Sequence, residues 1–345
     1  VTREIDLIEE ITRAHGYDRF PDDLAPARPT TVPDHPLFQL EDRLRIVLSG
    51  EGLFEAANPA FASEHEGEVE LNNPISIEES RLRSSLIPGL LRNVEYNFAR
   101  GVRDVRLFEL GTVFRAAGAG EPPREDLHVA FAVTGRREPE HWSRTGDALD
   151  FWSIKGLVET VLSVSGWDDA SEAGVEVGEV AGGSVGEAAG KLFVRRSSIT
   201  LMADGTPIGA AGQVRPDRVD APAWAGAIWA MELTLPAEPA VGVTPEYRPL
   251  SPFPGVDRDL ALLVPYDVPT STVSRAIRDA GDELLEQVTV FDLYRGDGVS
   301  EGHRSLAFRL RLQALDRTLT DKEVDRMVKK IMKRLGEDLG VEQRL

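Results

Sequence analysis

The chain has no cysteine among its 345 residues, which excludes disulfides, thiol nucleophiles, iron–sulfur clusters and thiolate zinc sites. Lysine is scarce, at six against 33 arginines. No apolar stretch is longer than 224–231, far short of the roughly 20 residues that span a bilayer. The opening Val1-Thr2-Arg3-Glu4 lacks the basic-then-apolar pattern of an export signal, and the absence of cysteine makes a reducing cytoplasm the expected compartment. No phosphate-binding GxxxxGK[ST] loop occurs, and the six histidines contain no i, i+4 pair from which to build a metal site.

What remains is an ordinary globular composition, 41% hydrophobic and 28% charged, too long for one core. The charge is lopsided: 58 acids against 39 bases give a net −19. Residues 247–345 hold 16 bases and 17 acids, leaving 23 and 41 for residues 1–246. A polyanion is therefore repelled by most of the chain and tolerated at its C-terminal end. Residues 317–334 carry seven bases against three acids, which suits RNA and equally describes a solvated helix face.

Periodicity divides the chain. Residues 1–20 read as the end of an upstream domain, with a helix over 4–15 ended by Gly16. Because the chain opens mid-pattern without Met, it reads as a piece of something longer. Residues 21–36 contain five prolines and read as a stiff linker. Residues 37–236 mix helix and strand signals. Helices are expected over 37–52, from Pro88 to Phe98 and over 150–165, and strands over 105–115, 129–134, 199–202 and 207–214. The Gly/Ala/Glu tract 174–190 reads as loops. A second linker, 237–246, leads to 247–345, where strands over 259–264, 287–294, 305–313 and near Val341 alternate with helices over 270–285 and 320–335. That βαββαβ order is ferredoxin-like, with helices on one sheet face and the other left open. On the third strand Leu306, Phe308, Leu310 and Leu312 face the helices, while Arg309 and Arg311 face outward. An open face carrying arginines suits RNA, so Arg309 and Arg311 are candidate RNA contacts, with Arg258, Lys329, Lys330 and Lys333 behind them.

Two further patterns bear on chemistry. Gly182-Gly183-Ser184-Val185-Gly186 matches the spacing of a nucleophile elbow but lacks the flanking strand and helix. Asp6, Glu9 and Glu10 fall on one helix face, which fits a hard cation such as Mg²⁺ and also fits acids placed early in a helix.

Several segments together resemble the β subunit of bacterial phenylalanyl-tRNA synthetase. They are Asp6-Leu7-Ile8-Glu9-Glu10-Ile11 to Asp18, Leu71-Asn72-Asn73-Pro74, Arg81-Leu82-Arg83-Ser84-Ser85-Leu86-Ile87-Pro88-Gly89, Leu107-Phe108-Glu109-Leu110-Gly111, Asp150-Phe151-Trp152 and Gly205-Thr206-Pro207. From Ser251-Pro252-Phe253-Pro254-Gly255 onward the chain is similar to that subunit's ferredoxin-fold anticodon-binding domain. The resemblance implies an α+β chain with a non-catalytic class II synthetase-like antiparallel module over 37–236 and an anticodon-binding domain over 247–345. It implies an α subunit that forms and transfers phenylalanyl adenylate from ATP, an assembly of two α and two β chains, and phenylalanine transfer RNA as the nucleic acid. It places a shared Mg²⁺ site on Asp6, Glu9 and Glu10, with a further aspartate just before Val1. Editing and tRNA-binding-like domains would lie upstream, so no editing activity is carried over. Arg106 and Glu109 evoke the second class II motif, but no glycine-rich third motif ending in Arg follows, so this chain alone is expected to be inactive. Residues 191–198 depart from the family, which commonly has a His-Pro-Gly-Arg-like turn there. The rival readings are a stand-alone adaptor built on a ferredoxin-like RNA module and, less well supported, an autonomous ligase. The apolar stripes 40–48 and 90–98 fit either core or subunit interface.

Overall fold

The computed structural model describes residues 3–21, 34–118, 120–138, 141–143, 145–167, 191–203, 205–239, 247, 250–296 and 298–344. Helix α1 (Glu4–His15) has the predicted bounds, and none of its residues is buried. Helix α2 (Pro36–Gly50) starts on a proline, which needs no N–H bond at that position, and buries Leu40, Leu44 and Leu48. Helix α3 (Ile87–Phe98) buries Leu90, Leu91, Val94 and Phe98, and α4 (Phe151–Val164) begins where the Asp150 side chain accepts from Ser153 N–H. The stripes 40–48 and 90–98 are thus core.

Between and after these helices lie strands β1 (Phe54–Glu55), β2 (Phe61–Ala62), β3 (Gly67–Glu70), β4 (Arg81–Arg83), β5 (Val105–Arg115), β6 (Arg124–Thr134), β7 (Phe193–Ala203), β8 (Thr206–Val214) and β9 (Ile228–Thr234). Six of them form one sheet in the order β1-β5-β6-β9-β8-β7, antiparallel except for the β1–β5 pair at one edge. Each face of this sheet carries its own core. Phe108, Phe131, Met231 and Leu233 meet α2 and α4, whereas Ala130, Ala132 and Ala230 meet α3. Small residues alternate with large ones along β6 and β9, which lets α3 approach on one side without voids on the other. The small sheet β2-β4-β3 lies against β5.

The sequence pattern does not predict β9. Its Ile228-Trp229-Ala230-Met231 run is apolar on both faces, as a central strand covered by helices on both sides requires, and so lacks alternation. The four short strands β1 to β4 are also unpredicted, since two to four residues show no measurable period.

The C-terminal domain contains strands β10 (Val256–Pro265), β11 (Leu285–Tyr294), β12 (His303–Leu312) and β13 (Glu342–Gln343), with helices α5 (Thr270–Ala280) and α6 (Asp321–Leu339). Strand order β11-β12-β10-β13 is the expected ferredoxin-like arrangement. Leu262, Phe308 and Leu310 pack beneath Val273, Ile277, Met327 and Ile331. Helix α5 ends five residues short of the prediction. Gly281 breaks it, the Asp282 side chain accepts from Leu284 N–H, and Leu285 joins β11 instead. Helix α6 runs four residues further than predicted, to a left-handed Gly340 at φ +62°.

Candidate nucleic-acid interface

The open face of the C-terminal sheet is built by alternation. Cross-strand partners share a face, so Asp257 opposite Arg311, Asp259 opposite Arg309 and Ala261 opposite Ala307 all point away from the helices. Strand β11 contributes through two bulges, where Glu286 and Phe291 are the extra, unpaired residues. A bulge re-aims the side chain it inserts, and these two side chains meet the arginines. Arg311 Nε donates to Glu286 Oε2 at 3.0 Å, and the Arg309 guanidinium lies 5.1 Å from the Phe291 ring centroid.

Both arginines are already engaged. Arg309 Nε and Nη2 each donate to an Asp259 carboxylate oxygen at 2.8 Å, a two-pronged fork. That bond holds the Asp259 carboxyl below its usual range and the Arg309 guanidinium above its own. Arg311 also reaches Asp257 at 3.5 Å. At the other end of the face, Arg344 lies opposite Ala261, where its N–H donates to the Ala261 carbonyl, and Tyr294 lies opposite Ser305. They belong to the two edges of the sheet, yet the Arg344 guanidinium stands 4.8 Å from the Tyr294 ring centroid, so the pair clasps across the small Ala261 and Ala307. The face is therefore balanced in charge, not positive.

The remaining sequence candidates lie elsewhere. Lys329, Lys330 and Lys333 are exposed on α6, whose buried side packs against the opposite sheet face, so they do not share a surface with Arg309 and Arg311. Lys333 lies 3.8 Å from Glu337. Arg258 also points toward the helix side, where Nη2 reaches Asp321 at 3.2 Å. On α1, Asp6 caps the helix by accepting from Arg3, and Glu10 pairs with Arg13 at 2.6 Å. Among the described residues no three His, Asp or Glu side chains gather to hold a metal ion. Asp6, Glu9 and Glu10 as they stand do not fit a complete Mg²⁺ site. The 182–186 motif and the 174–190 tract lie outside the described residues, as do 22–33 and 240–246 of the two linkers.

In the larger module one sheet face is occupied by its own chain. Glu109 on β5 and Glu232 on β9 both lie opposite Ala130 and point to the α3 side. The segment 83–86 crosses that face and satisfies both carboxylates. Arg83 Nη1 donates to Glu109 Oε1 at 2.6 Å, Asn58 Nδ2 donates to Glu109 Oε2 at 2.7 Å, and Gly111 leaves the space that the guanidinium fills. Ser85 Oγ donates to Glu232 Oε2 at 2.5 Å, and Leu86 N–H donates to Oε1 at 3.0 Å. His128 Nδ1 lies 2.8 Å from Glu232 Oε1, and its Nε2 lies 3.0 Å from Thr234 Oγ1. Burial pushes the Glu232 carboxyl up, but the His128, Ser85 and Leu86 hydrogen bonds outweigh it and hold the group below the usual carboxylate range. An acid inside an apolar run was the signal in the sequence that could have found Glu232.

Arg106, the residue that could have met a phosphate, instead donates to the carbonyls of Arg136 and Arg137. A cavity of about 440 Å³ opens beside Glu232, and its walls carry Glu66 and Glu68 against Arg115 and Lys191. Arg115 is paired with Glu68 at 3.4 Å. No described helix is long and apolar enough to cross a membrane.

Residues 21–235 match the family model for the phenylalanyl tRNA synthetase beta chain CLM domain, well over half of the chain. The chain belongs to that family. Residues 251–344 match the ferredoxin-fold anticodon binding domain. The phenylalanine–tRNA ligase beta subunit of Salinibacter ruber is 36% identical over 370 residues, covering 100% of this chain and 43% of that protein. The same subunit of Moorella thermoacetica is 34% identical over 358 residues, with the same coverage. Among solved structures, pyrrolysyl-tRNA synthetase from Desulfitobacterium hafniense overlaps at a TM-score of 0.38 with 15% identity, over 57% of this chain and 66% of that one. This member of the synthetase beta chain family thus spans less than half the length of the curated relatives it matches.

Proposed function

We propose that the chain acts within phenylalanine–tRNA ligase as a non-catalytic scaffold and RNA-gripping part of the β subunit, in the cytoplasm. The observation that carries this reading is the order of the two family matches, CLM domain then anticodon-binding domain, on a chain whose charge balance recovers only in the second. The division of roles falls at 37–236 for the synthetase-like module and 247–345 for the RNA-binding domain. In the first, both sheet-face carboxylates and Arg106 are committed to the chain's own groups, leaving ATP chemistry to an α subunit. That partner finds a surface on the outward side of α2 and the edge strand β1, where Phe38, Ile46 and Phe54 are exposed. In the second, the open face meets the anticodon region of phenylalanine transfer RNA through Arg309, Arg311 and Phe291, with Arg258, Lys329, Lys330 and Lys333 supplying longer-range attraction. Asp6, Glu9 and Glu10 would hold Mg²⁺ only with donors from outside this chain, in an assembly of two α and two β subunits.

Removing residues 247–345 from the assembled ligase tests the reading. KM for transfer RNA rises and ATP–pyrophosphate exchange stays nearly unchanged. Equal loss of both activities overturns it.

A further inference from the structure

Arginines at the surface are mostly tied to carboxylates, as Arg45, Arg92, Arg309 and Arg311 are. The C-terminal end of α3 differs. Arg100 lies over the Tyr96 ring at 3.2 Å from its centroid, and Arg103 lies over the Trp224 ring at 5.1 Å. Neither arginine makes an ion pair among the described residues, and both are exposed. Glu95 accepts from Asp220 N–H at 2.8 Å and Asp104 from Arg136 N–H at 2.9 Å.

The two stacks are held rigidly. Trp224 packs edge-on against Phe98 at 5.4 Å, and Phe98 is buried in the α3 core. Arg100 Nη1 donates to the Tyr96 carbonyl at 2.9 Å, which caps the helix end and fixes the guanidinium over its ring. Gly101, at φ +78°, turns the chain so that Arg103 returns to Trp224, a conformation other residues adopt only with strain. Arg100 and Arg103 are three residues apart, so their Cα atoms lie within about 11 Å.

We propose that Tyr96, Arg100, Arg103 and Trp224 form a second RNA-contact site, on the synthetase-like module and apart from the ferredoxin-fold domain. It takes unpaired nucleotides: the outer faces of the guanidiniums stack on bases and their edges meet phosphates. A cap alone needs one cation at the helix end, whereas here two cations without carboxylate partners each lie on an aromatic face, in a chain of net charge −19. The site rests on the reading that this chain handles transfer RNA.

The test titrates the 345-residue chain into a fluorescein-labelled phenylalanine transfer RNA transcript at several salt concentrations. Arg100→Gln with Arg103→Gln weakens binding about tenfold and lowers the salt slope by about one to two. In the wild type, 4-thiouridine placed in unpaired positions crosslinks to peptides containing 96–103 or 224. Unchanged affinity and slope in a double variant with wild-type circular dichroism overturns the proposal, as does absence of those crosslinks. Equal displacement by polyglutamate of matched charge also overturns it, since the patch is then a general anion surface. Arg309→Gln with Arg311→Gln separates the two readings. Loss of RNA binding there alone removes this site and keeps the ferredoxin-fold one, and loss in the α3 pair alone does the reverse.

Discussion

Arg83 and Glu109 form a buried ion pair, their side chains 11% and 2% exposed, between the short strand β4 and the second strand of the large sheet. Arg83 also donates to the Thr112 and Asn58 carbonyls, and Asn58 N–H donates back to Glu109. Removing one partner strands a charge without solvent. Arg83→Ala is therefore expected to destabilise the module by about 3–5 kcal/mol, and Arg83→Met with Glu109→Leu by much less. Urea unfolding of both variants checks this, and equal losses would refute the buried pair.

Glu232 links stability to pH. Its carboxyl is held below the ordinary value in the folded chain, so its contribution is complete above the unfolded value of about 4.3 and is lost as pH falls through the lower folded value. The urea midpoint of the module should accordingly drop below about pH 4. Glu232→Gln should flatten that part of the profile and cost about 1–3 kcal/mol at pH 7 by leaving His128 and Ser85 poorly paired. A profile identical to the wild type would exclude this role.

At the start of α6, Glu323 accepts from the Thr320 N–H and hydroxyl and from Arg317, which brings its carboxyl to about 2. Its stabilising share is therefore present above the ordinary glutamate range and disappears between roughly pH 4.3 and the folded value. Carboxyl-carbon NMR titration should find the low midpoint in the wild type. Thr320→Ala should move it upward, because the hydroxyl bond is lost while the backbone one remains.

The fork between Arg309 and Asp259 competes with any phosphate that approaches the open face. Asp259→Asn should tighten binding of transfer RNA by about three- to tenfold and steepen its salt dependence, because one guanidinium is released. Arg309→Gln should weaken it. Fluorescence anisotropy across a salt series measures both, and weaker binding by Asp259→Asn would show that the fork itself is the recognised surface.

Much of this fold was legible in the sequence. The spacing of Leu40, Leu44 and Leu48, the proline opening α3 and the alternation of Leu306, Phe308, Leu310 and Leu312 all report local periods that each element imposes by itself. Strand β9 was hidden because a strand buried on both faces has no alternation to read. The bulges at Glu286 and Phe291 were hidden for a different reason: register exists only between two strands, and neither strand's sequence states it alone.

By itself the sequence determined the family, the βαββαβ order of the last domain, the charge asymmetry and the face on which Arg309 and Arg311 stand. Only tertiary structure decided what those side chains touch. Asp259 is 50 residues from Arg309 and Ser85 is 147 from Glu232, and such partners meet through sheet topology. Side-chain direction follows from the backbone of a single strand, whereas neutralising a charge requires a second strand brought alongside it.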